Sequence, residues 1–447
     1  MSAIPDAHYA RSGDLSIAYQ VVGDGPIDIV FVAEFWNSIE AQWEQPDYAR
    51  FLHGLASMGR LICFDQRGSG LSDPVALDRL PTLEVWIDDI RAVMGAVASK
   101  RAALVCSGGG GCMGMTFAAT HPDVISSLVL LNGLPRLSRA DDYPWGTSPE
   151  FEDRVRRETE SSWGRGAFLD VVAPTRVNDE AFRAWWGRYQ RLGSSLGTQL
   201  AQRGMLLELD VRPILSSIRV PTLAIHRTDN RLGVVEHGRY LAEHISGAKL
   251  IEIGGTEYFL FLEGADRVLA EIERFLGGPH RPVDPDRVLA RVMFTDIVGS
   301  TERLAAIGDH AWRDLLGACP SAVRAELERH RGRELDTAGD GLLAVFDGPA
   351  RAVRCARAVR DVSRQLGLEV RTGLHTGEVE TFGDKVSGIA VHLGARVAGA
   401  AGPGEVLVTS TVKDLVAGSG LAFADHGMHE LKGVPDPWHL HRLVEAP

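Results

Sequence analysis

The chain has 447 residues, of which 45% are hydrophobic and 24% charged, a composition typical of a globular protein with two or three domains. Its formal net charge of −12 argues against a general nucleic-acid or anionic-membrane partner. No apolar run approaches the ~18 residues that a membrane span needs, and residues 1–20 lack the basic and apolar segments of a secretory signal, so a cytoplasmic protein is expected.

Cysteine spacing agrees with that expectation. The five cysteines form no CxxC pair and no metal-ligand spacing; they are Cys63, Cys106, Cys112, Cys319 and Cys355. We therefore expect reduced thiols, most of them buried.

The first 277 residues alternate between short apolar runs and segments of helical periodicity. The predicted strands are Ile27–Ala33, Arg60–Phe64, Ala102–Cys106, Ser126–Leu131, Pro221–His226 and Lys249–Ile253. The predicted helices are Leu83–Ala98, Gly109–Thr120, Val234–His244 and Ala265–Leu276. This alternation predicts a parallel-rich sheet covered on both faces. Residues 134–212 interrupt it with a charged, tryptophan-rich helical stretch that we interpret as a lid.

The glycine-punctuated loop Asp65–Asp73 and the segment Phe117–Pro122 give this half a family resemblance. It resembles an α/β-hydrolase with a helical cap, the domain covering residues 1–277 and the cap about 134–212. In that family the nucleophile occupies a G-x-S-x-G elbow between a strand and a helix.

The resemblance places non-catalytic residues at the three positions of the hydrolase triad. The nucleophile position falls on Gly108, the acid position on Asn230 and the histidine position on Tyr258. A tyrosine, with an ordinary pKa of about 10, cannot replace histidine as a base at neutral pH. An esterase that uses Ser107, one residue away, stays open as an alternative.

A domain without its triad can still serve as a scaffold for dimerisation or as a sensor. Glu34, Phe35 and Trp36 follow the first predicted strand, where such enzymes place oxyanion-hole residues. With Gly108 and Tyr258 they are predicted to line a pocket for a small-molecule ligand.

A linker and a second domain follow. Residues 278–286 are rich in proline and are interpreted as a semi-rigid spacer, short enough for one domain to influence the other.

Beyond the linker, the pattern of residues 287–447 predicts an α+β domain with a mixed or antiparallel sheet. Its predicted helices are Asp309–His330, Pro349–Leu366 and Ser387–Ala400, and its predicted strands are the run ending at Asp296, Glu334–Ala338, Leu342–Phe346, Glu369–His375, Gly377–Thr381, Glu405–Val408, Leu421–Asp425 and Trp438–Arg442.

Two acidic residues of this domain are candidate metal ligands. Asp296 ends an apolar strand, and Asp340 lies in a Gly-Asp-Gly hairpin turn. Carboxylates from a strand end and a hairpin tip can converge on Mg²⁺, which prefers one or two carboxylates together with substrate phosphates.

Five ordered blocks give the domain its family resemblance. They are Phe294-Thr-Asp-Ile-Val-Gly-Ser-Thr301, Thr337-Ala-Gly-Asp-Gly-Leu342, Gly373-Leu-His-Thr-Gly-Glu378, Val391-His-Leu-Gly-Ala-Arg396 and His429-Glu-Leu-Lys-Gly433. Together they resemble the catalytic domain of class III nucleotidyl cyclases, whose core is ferredoxin-like.

That resemblance implies the reaction and the role of each residue. The ribose 3′-OH of a nucleoside triphosphate would attack the α-phosphate with loss of pyrophosphate. Asp296 and Asp340 would hold two Mg²⁺ or Mn²⁺ ions per site, Arg396 would stabilise charge on the phosphate, and Lys432 would meet the triphosphate. In this family the metal ligands and the arginine come from opposite subunits, which implies a homodimer.

Three positions depart from the family pattern. His392 stands where an asparagine usually partners the arginine, one helical turn before Arg396. Asp336 and Lys385 occupy the base-reading positions with the charges of an adenylyl cyclase exchanged. An acid near N1 and an ammonium near the C6 substituent suit guanine better than adenine.

The sequence therefore predicts a homodimeric class III cyclase, adenylyl in the first instance, behind a non-catalytic hydrolase-fold domain. The alternatives are a GTP-using guanylyl cyclase, a catalytically silent nucleotide- or small-molecule-binding regulator, and the esterase.

Overall fold

The structure is a computed structural model that describes residues 4–77, 80–277, 287–299, 321–338, 341–382, 385–434 and 436–445. The chain divides into two compact units, residues 1–284 and 285–447. The proposed linker, residues 278–286, lies outside the described residues.

The first unit is built on one sheet whose strands have the order β1-β2-β4-β3-β5-β6-β7-β8. The strands are β1 (His8–Ser12), β2 (Leu15–Val22), β3 (Asp28–Val32), β4 (Arg60–Phe64), β5 (Ala102–Ser107), β6 (Ile125–Leu131), β7 (Thr222–Arg227) and β8 (Lys249–Ile253). From β4 to β8 all neighbouring pairs are parallel, whereas β1 and β2 add an antiparallel edge. The parallel-rich sheet of an α/β-hydrolase fold is confirmed.

Helices cover this sheet and form the cap. They are α1 (Pro46–Met58), α2 (Leu83–Ala96), α3 (Gly110–Thr120), α4 (Pro149–Ser162), α5 (Leu169–Val172), α6 (Glu180–Gly193), α7 (Leu196–Glu208), α8 (Val235–His244) and α9 (Ala265–Leu276). The four helices α4 to α7 all lie between β6 and β7 in the chain, within the stretch interpreted as a lid. Ser148, Asp179 and Ser195 begin three of them as side-chain N-caps, which satisfies backbone N–H groups that the first turn leaves free.

The second unit has a mixed sheet of order β10-β11-β9-β12-β14-β16-β15, with β13 paired to β12. Its strands are β9 (Arg287–Ile297), β10 (Gly332–Ala338), β11 (Gly341–Phe346), β12 (Val370–Phe382), β13 (Lys385–Ser387), β14 (Val406–Thr409), β15 (Ala422–His429) and β16 (Trp438–Val444). Among the described strands of this unit, only β12 and β14 pair in parallel. The α+β architecture is confirmed.

One strand prediction was wrong. Glu369–His375 and Gly377–Thr381 were expected to be two strands, but they form the single strand β12, which pairs with β9 from Val370↔Ile297 to Glu380↔Arg287. Gly377 pairs within the ladder opposite Ala290, and a Cβ there would lie 2.9 Å from Ala390 Cβ, so a glycine at this position allows close packing of the helix on the strand.

Helices pack on both faces of this sheet. They are α10 (Pro349–Gln365), α11 (Ile389–Ala400) and the short α12 (Ser410–Leu415). Val353, Ala356 and Val359 of α10 share a core with Met293 and Leu374, whereas Ala390 of α11 packs with Val292 on the opposite face. Residues 321–329 are helical, and the remainder of the predicted helix Asp309–His330 lies largely outside the described residues.

Two further observations bear on the sequence expectations. Cys63, Cys106, Cys112 and Cys355 are free thiols and buried, and Cys319 lies outside the described residues. Within the described part of the chain, no helix combines the length and apolar character that a bilayer crossing requires.

The close approach of α11 to the sheet generates a stability prediction. A Cβ on Gly373 would lie 2.0 Å from the backbone nitrogen of Ala398, so Gly373→Ala must push helix and strand apart. We expect it to destabilise the second unit by about 1–3 kcal/mol, measured by calorimetry of the full chain. Gly399→Ala in the same helix meets no atom within 4 Å and should be neutral or slightly stabilising. Equal losses for the two variants would contradict the packing argument.

Candidate functional site

A cleft of about 250 Å³ lies on the second sheet beside the end of β9. Its lining residues come from β9, β11, β12 and α11; they are Phe294, Thr295, Asp296, Gly341, Leu342, Leu343, Arg371, Ala395, Ala398 and Gly399. The predicted metal ligand Asp296 therefore shares a cleft with Gly341, the last residue of the predicted Gly-Asp-Gly turn.

Asp296 is held by an arginine that the sequence analysis did not single out. Arg371 stands directly opposite Asp296 in the β9–β12 ladder. Its Nε and Nη2 atoms donate to Oδ2 of Asp296 at 3.0 and 2.5 Å. Each side chain is about one-third exposed, at 37% and 31%. In the sequence Arg371 is one of several polar residues in its strand, so no sequence pattern indicates that it faces Asp296.

The other predicted acidic and base-reading residues are only partly described. Asp340 lies outside the described residues. Asp336 lies on β10 opposite Leu343, and Lys385 lies on β13 opposite Phe382, but neither side chain is described. The structure therefore leaves the second metal ligand and the base-reading pair as predictions.

The predicted arginine and its partner lie elsewhere on the domain. His392 and Arg396 are exposed on α11, four residues apart on the face opposite the buried Leu393 and Val397. Neither contributes to the cleft that contains Asp296, although other residues of α11 do. Lys432 is exposed in the loop between β15 and β16.

In the first unit, the three positions predicted to correspond to the hydrolase triad do not form one interacting group. Gly108 follows β5 in the left-handed region at φ +49°, the strained backbone of a nucleophile elbow. Asn230 is buried, and its Oδ1 accepts from the backbone N–H groups of Leu232 and Gly233 at 2.9 and 3.3 Å. Asn230 thus stabilises the turn that contains it, whereas the side chain of Tyr258 lies beside Gly108 in the elbow.

Glu34 fills the space at the elbow. Its Oε1 accepts a hydrogen bond from Tyr258 Oη, and its Oε2 accepts from the backbone N–H of Gly109 at 3.1 Å. In the hydrolase fold, the N–H after the nucleophile belongs to the oxyanion hole. With the nucleophile position at Gly108, as the sequence predicts, this carboxylate would lie where a substrate oxyanion binds.

These contacts require a glycine at position 108. A Cβ on Gly108 would lie 1.7 Å from Oε1 of Glu34 and 1.8 Å from Oη of Tyr258. Burial raises the pKa of Glu34 to about 7, while its hydrogen bonds from Tyr258 and Gly109 oppose that rise. Glu34 is fully enclosed, so this group belongs to the interior of the fold.

Within the described residues, no histidine hydrogen-bonds to Ser107. The two buried histidines of the first unit have other partners: His226 Nε2 bonds the carbonyl of Gly133 at 2.9 Å, and His237 Nδ1 bonds Tyr143 Oη at 2.6 Å. Ser107 instead lines a small cavity together with Glu34.

The cap encloses two small cavities that share Trp36. The inner one, about 20 Å³, has mainly aromatic walls together with Glu34 and Ser107. The outer one, about 30 Å³, lies among cap residues that include Gln199 and Arg203. Each has room for about one or two water molecules, which is less than a small organic ligand needs.

Comparison with known proteins follows this division of the chain. Residues 45–265 match the family model described as alpha/beta hydrolase fold, and residues 287–444 match that described as adenylate and guanylate cyclase catalytic domain. The protein named "Putative adenylate cyclase 3" of Rhizobium meliloti (strain 1021) is 30% identical over 164 residues, 34% of this chain and 28% of its own length. The chain thus spans less than a third of that relative.

Two other similarities concern the first unit. "Probable esterase D14L" of Oryza sativa subsp. japonica is 24% identical over 263 residues, 58% of this chain and 90% of its own length. The crystal structure of bromoperoxidase from Bacillus anthracis covers 61% of this chain and 100% of its own, with a TM-score of 0.52 and 22% identity. The latter supports the fold alone.

Because Glu34 and Tyr258 fill the space beside Gly108, any side chain introduced at this position is predicted to clash with them. Gly108→Ala should destabilise the first unit by about 3 kcal/mol or more, because the new Cβ overlaps two side chains and the backbone is left-handed. Calorimetry of the full chain would measure this loss. Gly111→Ala, whose Cβ would meet its nearest atom at 3.5 Å, is the matched control.

The destabilisation caused by Gly108→Ala should be smaller when Glu34→Ala and Tyr258→Phe are also present, because these two changes remove the overlapping atoms. A cost for Gly108→Ala that is unchanged in that background would show that the three residues do not interact as described.

Proposed function

Because the chain joins an α/β-hydrolase-fold domain to an adenylate and guanylate cyclase catalytic domain, we propose that it converts ATP to 3′,5′-cyclic AMP and pyrophosphate. The observation that carries this proposal is the position of Asp296, a partly exposed strand-end carboxylate in a cleft that Gly341 of the hairpin also lines. The similarity to a protein named as an adenylate cyclase supports the choice of reaction.

The residues present suit a hard divalent cation. Both bonds from Arg371 end on Oδ2 of Asp296, and no other described residue hydrogen-bonds to Oδ1. We propose that Asp296 and Asp340 hold two Mg²⁺ or Mn²⁺ ions. When bound, these ions would neutralise the triphosphate and favour ionisation of the attacking 3′-OH.

Asp296 would have two states, one paired with Arg371 and one bound to a cation. Its guanidinium neutralises the carboxylate through two hydrogen bonds at the mouth of the cleft. A cation at Asp296 would compete with that guanidinium, which would then be free to bind phosphate oxygens through its planar fork. We propose that Arg371 balances the charge of the cleft before the substrate binds.

The remaining charge stabilisation is proposed to come from a second subunit. Arg396 and His392 are exposed and lie outside the cleft of their own chain. In a two-fold dimer they would complete the partner's site, with Arg396 stabilising the transition state, His392 orienting it and Lys432 meeting the triphosphate. A monomer would lack these contacts.

GTP is the second candidate substrate, favoured by one observation. Asp336 and Lys385 carry charges opposite to those that read adenine in this family. If both face the base, guanine offers them the better hydrogen-bond pattern.

The hydrolase-fold domain is proposed to be non-catalytic. Glu34 occupies the oxyanion hole and Gly108 carries no nucleophile, so the domain would act as a scaffold or as a sensor. A small-molecule ligand would have to displace the cap, because the closed cavities are too small to hold it.

Subunit complementation tests the dimeric site. Asp296→Ala and Arg396→Ala should each lower the turnover number by about 100-fold or more. Mixed, they should regain roughly a quarter of wild-type activity. Half of the randomly paired dimers are then mixed, and one of the two sites in each is intact.

The matched control mixes Asp296→Ala with Asp340→Ala. Both changes affect the same side of each site, so no mixed dimer has an intact site and activity should stay absent. Recovery in both mixtures, or in neither despite proven subunit exchange, would contradict the shared site.

Base choice is tested by assaying ATP and GTP side by side. The exchange Asp336→Lys with Lys385→Asp should raise the ratio of kcat/KM for ATP to that for GTP by about 10-fold or more. Glu334→Lys, on the same strand as Asp336, is the control and should leave the ratio unchanged. An unchanged ratio in the exchanged variant would mean that these residues do not read the base.

A further inference from the structure

The hairpin formed by β15 and β16 concentrates histidines. Four of the chain's 15 histidines fall within residues 426–441; they are His426, His429, His439 and His441. None of them has a role in the proposed cyclase site. They lie on two strands that pair directly with each other.

Two of these histidines converge with an acid. Asp425 on β15 stands opposite His441 on β16, and His439 lies two residues before His441 on the same strand face. One donor atom from each of the three side chains lies within 4.8 Å of the other two. No other group of three or more His, Cys, Asp or Glu residues with this property occurs in the described part of the chain.

The three side chains are already held in place. Oδ1 of Asp425 bonds Nε2 of His439 at 2.7 Å and accepts the backbone N–H of Gly427 at 2.7 Å. Nε2 of His441 bonds Oγ of Ser410 at 3.0 Å, and His441 is buried. The bonds from Gly427 and Ser410 come from outside the trio, and partners of this kind orient metal ligands in known sites.

We propose that Asp425, His439 and His441 bind a divalent transition metal of the Zn²⁺ class. Two imidazole nitrogens and one carboxylate oxygen form a donor set that suits Zn²⁺, with an open position for water. Donor atoms around tetrahedral Zn²⁺ lie about 3.4 Å apart, so only small side-chain rotations are needed. The metal would replace the Asp425–His439 hydrogen bond.

This site is distinct in chemistry and place from the cation site proposed at Asp296. Mg²⁺ prefers oxygen ligands, so millimolar Mg²⁺ should not compete at two imidazoles. The metal would link β15 to β16 within the hairpin whose loop carries Lys432.

Zn²⁺ binding to the full chain tests the proposal. In buffer containing Mg²⁺ and a reductant that does not bind zinc, we expect one Zn²⁺ per chain with a Kd below about 10 µM, measured by competition with a chromogenic chelator. His439→Gln, at a partly exposed position, should weaken binding by about 100-fold, and Asp425→Asn by about 10-fold. Co²⁺ should give the visible absorption of a site with nitrogen ligands, and His439→Gln should remove it.

The matched control is the neighbouring pair His426 and His429. Their rings bond each other at 2.9 Å and do not belong to the proposed ligand set. His426→Gln with His429→Gln should leave Zn²⁺ affinity within about 2-fold of wild type. A wild-type Kd for Zn²⁺ above roughly 0.1 mM, the level of adventitious sites, would overturn the assignment. An equal loss of Zn²⁺ affinity in the control pair would also overturn it. Because binding is measured directly, the outcome does not depend on cyclase activity.

Discussion

The pairing of β9 with β12 is the constraint on which the candidate active site depends. The two strands pair from Val370↔Ile297 to Glu380↔Arg287, and this register puts Asp296 opposite Arg371. A slip of one residue would turn Asp296 to the other face of the sheet, against α10 instead of α11. Backbone hydrogen bonds along the ladder, rather than the ion pair itself, fix where the carboxylate lies.

A second internal constraint shapes the hydrolase-fold domain. The predicted nucleophile position is not an open space, because Glu34 and Tyr258 occupy the volume that a side chain at position 108 would need. A buried carboxylate is costly unless it is hydrogen-bonded or protonated. The bonds from Tyr258 and Gly109, together with the raised pKa of Glu34, meet that requirement. The elbow is therefore filled rather than vacant.

The sequence was most informative where pattern and spacing determine structure. Strand Arg60–Phe64 and strand Lys249–Ile253 have the bounds that their apolar runs predicted. Strands β1 and β2 were missed because their exposed edge carries too few buried residues to form a continuous apolar run. Glu369–His375 and Gly377–Thr381 were predicted as two strands because the apolar pattern does not show that pairing with β9 continues past Thr376.

The candidate site was less predictable because its key contacts join distant segments. Glu34 was named as a pocket residue, but its bond to Tyr258 spans 224 positions. Arg371 was missed because only the strand register shows that it faces Asp296. The roles of Asp340, Asp336 and Lys385 rest on resemblance, since their side chains lie outside the described residues.

The filled elbow also has a consequence for engineering. A serine at position 108 is excluded while Glu34 and Tyr258 remain, because its Cβ would overlap both side chains. A nucleophile at this position would therefore require changes at positions 34, 108 and 258 together, so single substitutions offer no gradual path to one.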